Sequence, residues 1–313
     1  MNSLNLVITG SSGLIGCAII RRLESQNASV VGLDLRPSAG RPAVDIADPR
    51  AFDGLLEHAD GIIHLAAVTR VIPAENDPAR CREVNVSATK RLLDAALAAP
   101  KRPFVVYASS REVYGQQSNF PVAEDAPLSP MNVYARSKLA AEHLCGEARD
   151  AGLRTAIMRF STAYGTVDDH ATRVVPAFIG AAVRGETLRI DGTTGELDLT
   201  HVDDVAQGVL TIAQCLAAGE MSLPPIHFVS GTGTTLFALA ETAIRLGGNR
   251  SGLVIAPPRD FDVSRFVGDP RRAEALLGWR ATTPPEVGLC RLAADFATRS
   301  LAGGGRAAER SDG

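Results

Sequence analysis

A doubly wound α/β fold with a parallel sheet follows from three features of the 313-residue sequence. Short apolar runs alternate with stretches of helical periodicity through the first half. The runs are apolar without interruption, as in strands covered on both faces. The first run breaks into the glycine-spaced turn Gly10-Ser11-Ser12-Gly13-Leu14-Ile15-Gly16, placed between a strand and a helix.

The elements follow in order. Leu4 to Thr9 reads as a strand, Leu14 to Gln26 as a helix, and Ser29 to Asp34 and Gly61 to Ala67 as strands. A short third strand is expected just before Asp45-Ile46. Glu83 to Ala99 is a long helix with Val84, Ala88, Leu92 and Ala96 on one side. Phe104 to Ala108 is a strand, Tyr134 to Ala151 a helix and Thr155 to Phe160 a strand. Beyond Gly165 the pattern loosens into a smaller mixed region. It has a helix at Pro176 to Arg184, short strands at 188–190 and 198–200, and a helix after His201 that Asp203 or Asp204 can cap. A strand follows at 226–229, with helices at 241–246 and 271–277. The Gly-, Ala- and charge-rich end, residues 299–313, reads as a disordered tail.

Composition narrows the function. Hydrophobic residues make up 45% and charged residues 21%, as in an ordinary globular protein. The net charge of -3 gives no basis for nucleic acid or an anionic membrane as partner. No apolar run reaches the ~18 residues of a membrane helix. The N-terminus lacks the basic region of a secretory signal, and cytoplasmic localisation is expected. The five cysteines are widely spaced without a CxxC pair, so reduced buried thiols are expected. The six histidines have no metal-ligand spacing, and no metal is expected.

The glycine turn points to a dinucleotide. Helix N-termini carry free N–H groups and partial positive charge, which favour a phosphate. Gly10 suits the tight turn, Gly13 the approach of the pyrophosphate, and Gly16 close helix–sheet packing. Ser12, Leu14 and Ile15 complete this part of the cofactor site. The spacing is GxxGxxG, one residue longer than the usual Rossmann GxGxxG. Asp34 ends the second strand, where a carboxylate can accept from ribose hydroxyls and repel a 2′-phosphate. NAD is favoured over NADP, although Arg36 could accommodate a phosphate. Leu35 lies between them, and Asp45 and Ile46 are placed against the adenine.

Tyr134 and Lys138, in Tyr-Ala-Arg-Ser-Lys, fall on one helix face. A nearby ammonium stabilises a phenolate and lowers its pKa from ~10. Such a tyrosine can take a proton from a sugar or alcohol hydroxyl while hydride leaves the same carbon.

These stretches, with His64-Leu65-Ala66-Ala67, Asn85, Ser109 to Gly115, Arg159 to Gly165 and His201 to Val205, resemble the extended short-chain dehydrogenase/reductase family of NAD-dependent nucleotide-sugar epimerases and dehydratases. The match runs in family order over about residues 1 to 280. The resemblance implies a Rossmann-type NAD-binding domain at 1–165, to which segments within about 200–230 return, and a mainly substrate-binding region at 166–298. It implies that Leu65, Ala66 and Ala67 line the nicotinamide side, that Asn85, Ala108, Tyr134 and Lys138 belong to the cofactor site, and that the protein forms a homodimer.

In the family, the position three before Val-Tyr-Gly is a Ser or Thr that hydrogen-bonds the reacting hydroxyl; here it is Ser110. Glucose 4,6-dehydratases resembling this pattern carry Asp then Glu next. Here Arg111 replaces the Asp and cannot act as an acid near neutral pH, while Glu112 is retained. Thr162 stands where the family often has Asn, and Leu197 where a substrate-phosphate Arg often lies. Arg259 resembles a second phosphate-binding Arg, and Arg173 lies in the variable region.

The expectation is therefore an NAD-dependent nucleotide-sugar C4 epimerase with Tyr134, Lys138 and Ser110 as catalytic residues. Ser110, Arg111, Tyr134, Thr162, Arg173 and Arg259 are the substrate-binding candidates. The alternative is a dehydratase in which Glu112 removes the C5 proton. A minor alternative is an inactive NAD-binding regulatory protein.

Overall fold

The computed structural model describes residues 4–25, 29–37, 43–192, 195–221, 223–257 and 263–308. Strand β1 (Asn5–Thr9) leads through the glycine turn into helix α1 (Leu14–Glu24). Strands β2 (Ser29–Leu33) and β3 (Gly61–His64) lie parallel on either side of β1. Helices α2 (Val71–Asn76) and α3 (Pro78–Arg82) follow, then a π-helical turn at Glu83–Ser87 that runs into α4 (Ala88–Ala98). Strand β4 (Phe104–Ser110) ends in a 3₁₀ turn at Arg111–Tyr114, before helix α5 (Val133–Asp150) and β5 (Thr155–Phe160).

The remainder comprises β6 (Thr162–Tyr164), α6 (Val174–Arg184), β7 (Leu188–Asp191), β8 (Glu196–His201) and α7 (Val202–Ala217). It continues with β9 (Ile226–Phe228), β10 (Gly233–Thr235), α8 (Leu236–Leu246), β11 (Leu253–Ala256), α9 (Arg271–Leu277) and α10 (Pro285–Ala308).

The central sheet is parallel and six-stranded, in the order β2-β1-β3-β4-β5-β9. Strand geometry sends alternate side chains to opposite faces. Leu6 and Ile8 of β1 therefore join Ile19, Val205 and Val209 of α1 and α7, while Val7 joins Leu92 of α4 and Cys145 of α5. This two-sided burial explains the uninterrupted apolar strands. The chain leaves β1 for β2 on one side and returns to β3 on the other. That reversal opens a crevice at the carboxyl ends of β1 and β3, where open α/β sheets bind ligands. Two small sheets, β10-β8-β6 and β11-β7, lie in the later part of the chain. Tyr164, Ile179, Leu199, Leu239 and Leu292 form a core among its elements.

Some sequence expectations change. Residues 43–45 form no strand, and residues 38–42 lie outside the described residues; the Asp45 carboxylate accepts from Ala47 N at 2.9 Å, closing a turn. Helix α7 is capped by His201, whose Nδ1 accepts from Asp203 N at 3.3 Å. Asp204 cannot serve, because its carboxylate accepts from the Thr282 hydroxyl at 2.7 Å and Thr283 N at 2.9 Å. Helix α10 continues to Ala308, through part of the expected tail; residues 309–313 lie outside the described residues. The cysteines are free, but only Cys81 and Cys145 are fully buried, and Cys17 and Cys290 are exposed. No described helix is long and apolar enough to cross a membrane.

Candidate active site

The glycine turn is held by close backbone approach. A Cβ on Gly10, whose φ is +72°, would lie 2.7 Å from Ala66 N; one on Gly16 would lie 2.3 Å from Gly10 O. The first contact brings the loop after β3 against the turn, and the second seats α1 on it. Helix α1 begins at Gly13 with no side-chain cap and no acidic residue in its first turn. Its N–H groups are thus left for a ligand phosphate. Leu14, Ile15 and Leu65 pack partly into the core below, and Ala66 packs on the opposite core.

Asp34 accepts from Ser12 N and Arg36 N, each at 2.9 Å. Its carboxylate thus ties the end of β2 to the turn and retains lone pairs for further donors. The Arg36 guanidinium donates to the Ser12 carbonyl, so it folds over the turn beside Asp34. Leu35 is 60% exposed beside them, an apolar surface at the crevice. Asp45 is ion-paired with Arg80 at 2.6 Å, and Ile46 is buried in the core. Each Asp45 oxygen thus holds one donor and, like those of Asp34, retains a lone pair for another.

A buried chain of hydrogen bonds runs behind the crevice. Thr9 Oγ1 and His64 Nδ1 are 2.6 Å apart, and His64 Nε2 is 2.9 Å from Thr89 Oγ1. Thr89 donates to Asn85 O at 2.8 Å, and Asn85 Nδ2 donates to Ser137 Oγ at 2.9 Å. Ser137 in turn donates to Tyr134 O at 2.7 Å. Because Thr89 spends its proton on Asn85, it accepts from His64, which fixes the neutral Nε2–H tautomer. Burial, then the Lys138 charge, lowers the His64 pKa to about 3. Asn85 also accepts from Val68 N and donates to Val68 O. Its amide thereby braces the loop that carries Leu65, Ala66 and Ala67.

The catalytic candidates converge at the end of β4. Neighbouring strand residues point oppositely, so Ser109 and Ser110 have separate partners. Ser109 donates to Glu142 Oε1 at 2.5 Å, on the covered side. Ser110 lies close enough to the Tyr134 phenol to act on its ionisation, and its hydroxyl accepts from Glu112 N at 3.2 Å. Asn132 caps α5 by accepting from Ala135 N at 2.8 Å, which sets the first turn that carries Tyr134. Lys138, one turn later, donates to Ala108 O at 2.7 Å, with Nζ 6.0 Å from the Tyr134 ring centroid. Burial pushes the Tyr134 pKa up to about 12, against the lowering influence of the nearby Ser110 hydroxyl. The expected lowering of this pKa is therefore reversed by desolvation in the protein alone. Burial also lowers Lys138 to about 8.

A family model described as the NAD dependent epimerase/dehydratase family matches residues 6–223. The chain belongs to this family. A UDP-glucose 4-epimerase of Mycolicibacterium smegmatis is 30% identical, covering 95% of this chain and 100% of that protein. A dTDP-glucose 4,6-dehydratase of Streptomyces antibioticus is also 30% identical, covering 88% of each. The solved structure of MoeE5 in complex with UDP-glucuronic acid and NAD superposes with a TM-score of 0.83, at 28% identity over 95% of this chain and 100% of that one. NAD is the cofactor of the family, and the uncapped α1, the close-approach glycines and Asp34 fit it.

The site also departs from the epimerase/dehydratase family pattern outlined from the sequence. Glu112 is buried, with Oε1 3.5 Å from Arg111 Nη2, and Oε2 accepts from Asn132 Nδ2 at 3.3 Å. Arg173 precedes α6, 3.8 Å from Asp169, and its charge contributes to lowering the Tyr134 pKa. Thr162 is half-buried on β6. Leu197, in place of an arginine, is buried in the core of the later region. Arg259 lies outside the described residues.

Three supporting groups escaped the sequence reading. Glu142 and Arg159 form a buried ion pair at 2.6 Å beneath the carboxyl end of β4. The spacing Tyr134, Lys138, Glu142 was its signal, one face of one helix. Asp198 is fully buried and accepts from the N–H groups of Ser230, Gly231 and Gly268, joining β8 to two loops. His64 was seen only within a motif, and its partners are too distant in sequence to infer. Among the described residues, no cluster of three His, Cys, Asp or Glu could hold a metal.

Proposed function

We propose that the protein is an NAD-dependent nucleotide-sugar 4-epimerase. The observation that carries this reading is the convergence at the carboxyl end of β4, where buried Lys138 donates to Ala108 O at 2.7 Å, 6.0 Å from the Tyr134 ring, and Ser110 ends the strand. NAD, when bound, supplies a reversible hydride acceptor. Tyr134 takes the proton from the C4 hydroxyl, and Ser110 holds that hydroxyl in line. Lys138 stabilises the phenolate, since its charge is 6.0 Å from the ring. The same tyrosine returns the proton after the keto sugar has presented its other face, leaving two C4 epimers of equal mass.

Relatives named UDP-glucose 4-epimerase support the reaction, and the UDP-glucuronic acid bound to MoeE5 supports a nucleotide-sugar substrate. In this reading, residues 1–165, with α7 and β9, hold the cofactor, residues 166–298 mainly hold the substrate, and the enzyme is a cytoplasmic homodimer. The alternative is a dehydratase in which Glu112 removes the C5 proton. It is favoured by the nearness of Glu112, whose charge raises the Tyr134 pKa.

The test is incubation of the NAD-loaded protein with UDP-glucose and UDP-glucuronic acid, with products followed by NMR and mass spectrometry. The expected result is interconversion of C4 epimers without mass change, abolished in Tyr134→Phe. A product lighter by one water would replace the epimerase by the dehydratase. Full activity in Tyr134→Phe would remove the site assignment.

A further inference from the structure

Arg111 has no role in proton transfer at C4, yet it sits directly after Ser110, at the start of the 3₁₀ turn Arg111–Tyr114. Its side chain is only 13% exposed. The guanidinium carbon lies 5.8 Å from the Phe266 ring centroid, and Nη2 is 3.5 Å from Glu112 Oε1. Nη1 is buried and has no hydrogen-bond partner among the described residues.

Leaving such a donor unmade is costly. An unsatisfied buried polar group costs about 1–3 kcal/mol, and more when charged. Folded proteins keep few such groups, and a charged one beside a reactive site is a candidate ligand contact. Arginine keeps its proton throughout the working pH range and presents a planar fork that matches a carboxylate. Glu112 leaves that fork partly open, because it approaches one terminal nitrogen at 3.5 Å and takes its other bond from Asn132. Ser110 is the residue next to this fork. In the reading above its hydroxyl addresses the reacting carbon, and Arg111 follows it directly in the chain.

We propose that Arg111 binds an anionic substituent of the sugar ring, and that the preferred substrates are nucleotide uronic acids, which carry a carboxylate at C5 in place of a neutral hydroxymethyl group. The inference rests on the reading that Ser110 and Tyr134 address the C4 hydroxyl. A carboxylate completes the fork with a charge-assisted hydrogen bond to Nη1. A hydroxymethyl group can accept only a weaker neutral bond there. Arg111 then bridges two carboxylates, that of Glu112 and that of the substrate, while the Phe266 ring limits its movement.

The test separates this preference from the reaction. In NAD-loaded Tyr134→Phe protein, which binds without turnover, calorimetry compares UDP-glucuronic acid with UDP-glucose. The acid should bind about 10- to 100-fold more tightly, the range of one charge-assisted hydrogen bond. Adding Arg111→Leu should bring the ratio of the two Kd values to near one, and Arg111→Lys should restore part of it. A melting curve checks folding, and Arg111→Gln replaces the leucine variant if that variant is unfolded. Equal binding of the two sugars, or a preference that survives loss of Arg111, would overturn the inference. Turnover of the unmutated enzyme reports separately on the reaction. Epimerisation without a preference for the acid sinks the inference and leaves the epimerase. A preference lost with Arg111, in an enzyme that epimerises neither sugar, keeps the anion site and sinks the epimerase.

Discussion

Lys138 Nζ donates to the Ala108 carbonyl oxygen across 2.7 Å, with the centre of the Tyr107 ring 4.9 Å from the ammonium. The group is 3% exposed, and burial lowers its pKa to about 8. Unfolded, the lysine titrates near 10.5. Between those values the unfolded chain binds more protons, so stability rises with pH; below about 8 the full cost of the buried charge is present. In Lys138→Met this dependence vanishes. The stability of the unmutated protein relative to the variant should therefore rise by about 3 kcal/mol from pH 8 to pH 10.5. Urea unfolding at several pH values reads this, and an unchanged difference would contradict the placement. Turnover should fall at least about 100-fold in the variant, the scale of general acid–base catalysis.

His64 has the opposite reach along the pH axis. Its pKa is lowered from 6.5 to about 3, so on acidification the unfolded chain takes up the proton first. Its contribution is complete above about 6.5 and is lost as pH falls toward 3, by about 1.4 kcal/mol per pH unit. Asparagine at this position does not titrate. The stability advantage of the unmutated protein over His64→Asn should thus shrink by about 2 kcal/mol between pH 6.5 and pH 5. Parallel pH profiles for the two proteins would show that the histidine is not held neutral.

What the sequence makes legible follows from how local each cause is. β1, β4 and β5 are readable because both their faces are buried. Gly10, Gly13 and Gly16 are readable because the turn is a short-range backbone problem. Tyr134 and Lys138 are readable because one helical turn joins them. The cap role of Asp204 was misplaced, and the partners of Asp45 and Asn85 were not foreseen, because Thr282, Arg80 and Val68 make contacts that exist only after folding. The direction of the Tyr134 shift failed for a related reason. Spacing supplies the neighbouring charge, while desolvation depends on the packing of the whole site.

Gly16 gives a steric prediction with an internal control. A methyl group at Gly16 meets Gly10 O at 2.3 Å and Ser11 Cα at 2.8 Å, whereas one at Gly146 of α5 meets nothing within 4 Å. Gly16→Ala should destabilise the protein by about 1–3 kcal/mol, the usual cost of overpacking. It should also weaken NAD binding, since the turn must open to admit the methyl. Gly146→Ala should stabilise by up to about 1 kcal/mol through helix propensity. Thermal melts and NAD titration compare the two, and equal effects would remove the packing argument.

Glu112 decides between the two reactions. Its carboxylate lies 3.5 Å from Arg111 on one oxygen and accepts from Asn132 on the other. An epimerase needs no base at C5, because the C4 hydroxyl proton passes through Tyr134. Glu112→Gln keeps the shape and the acceptor for Asn132 but cannot accept a proton from carbon. Epimerisation should therefore fall by less than about tenfold, whereas dehydration relying on this base should fall by about 100-fold or more. Product mass and rate measured together discriminate the cases. A variant that loses all turnover, together with an unmutated enzyme whose product is lighter by one water, would move Glu112 into the chemistry.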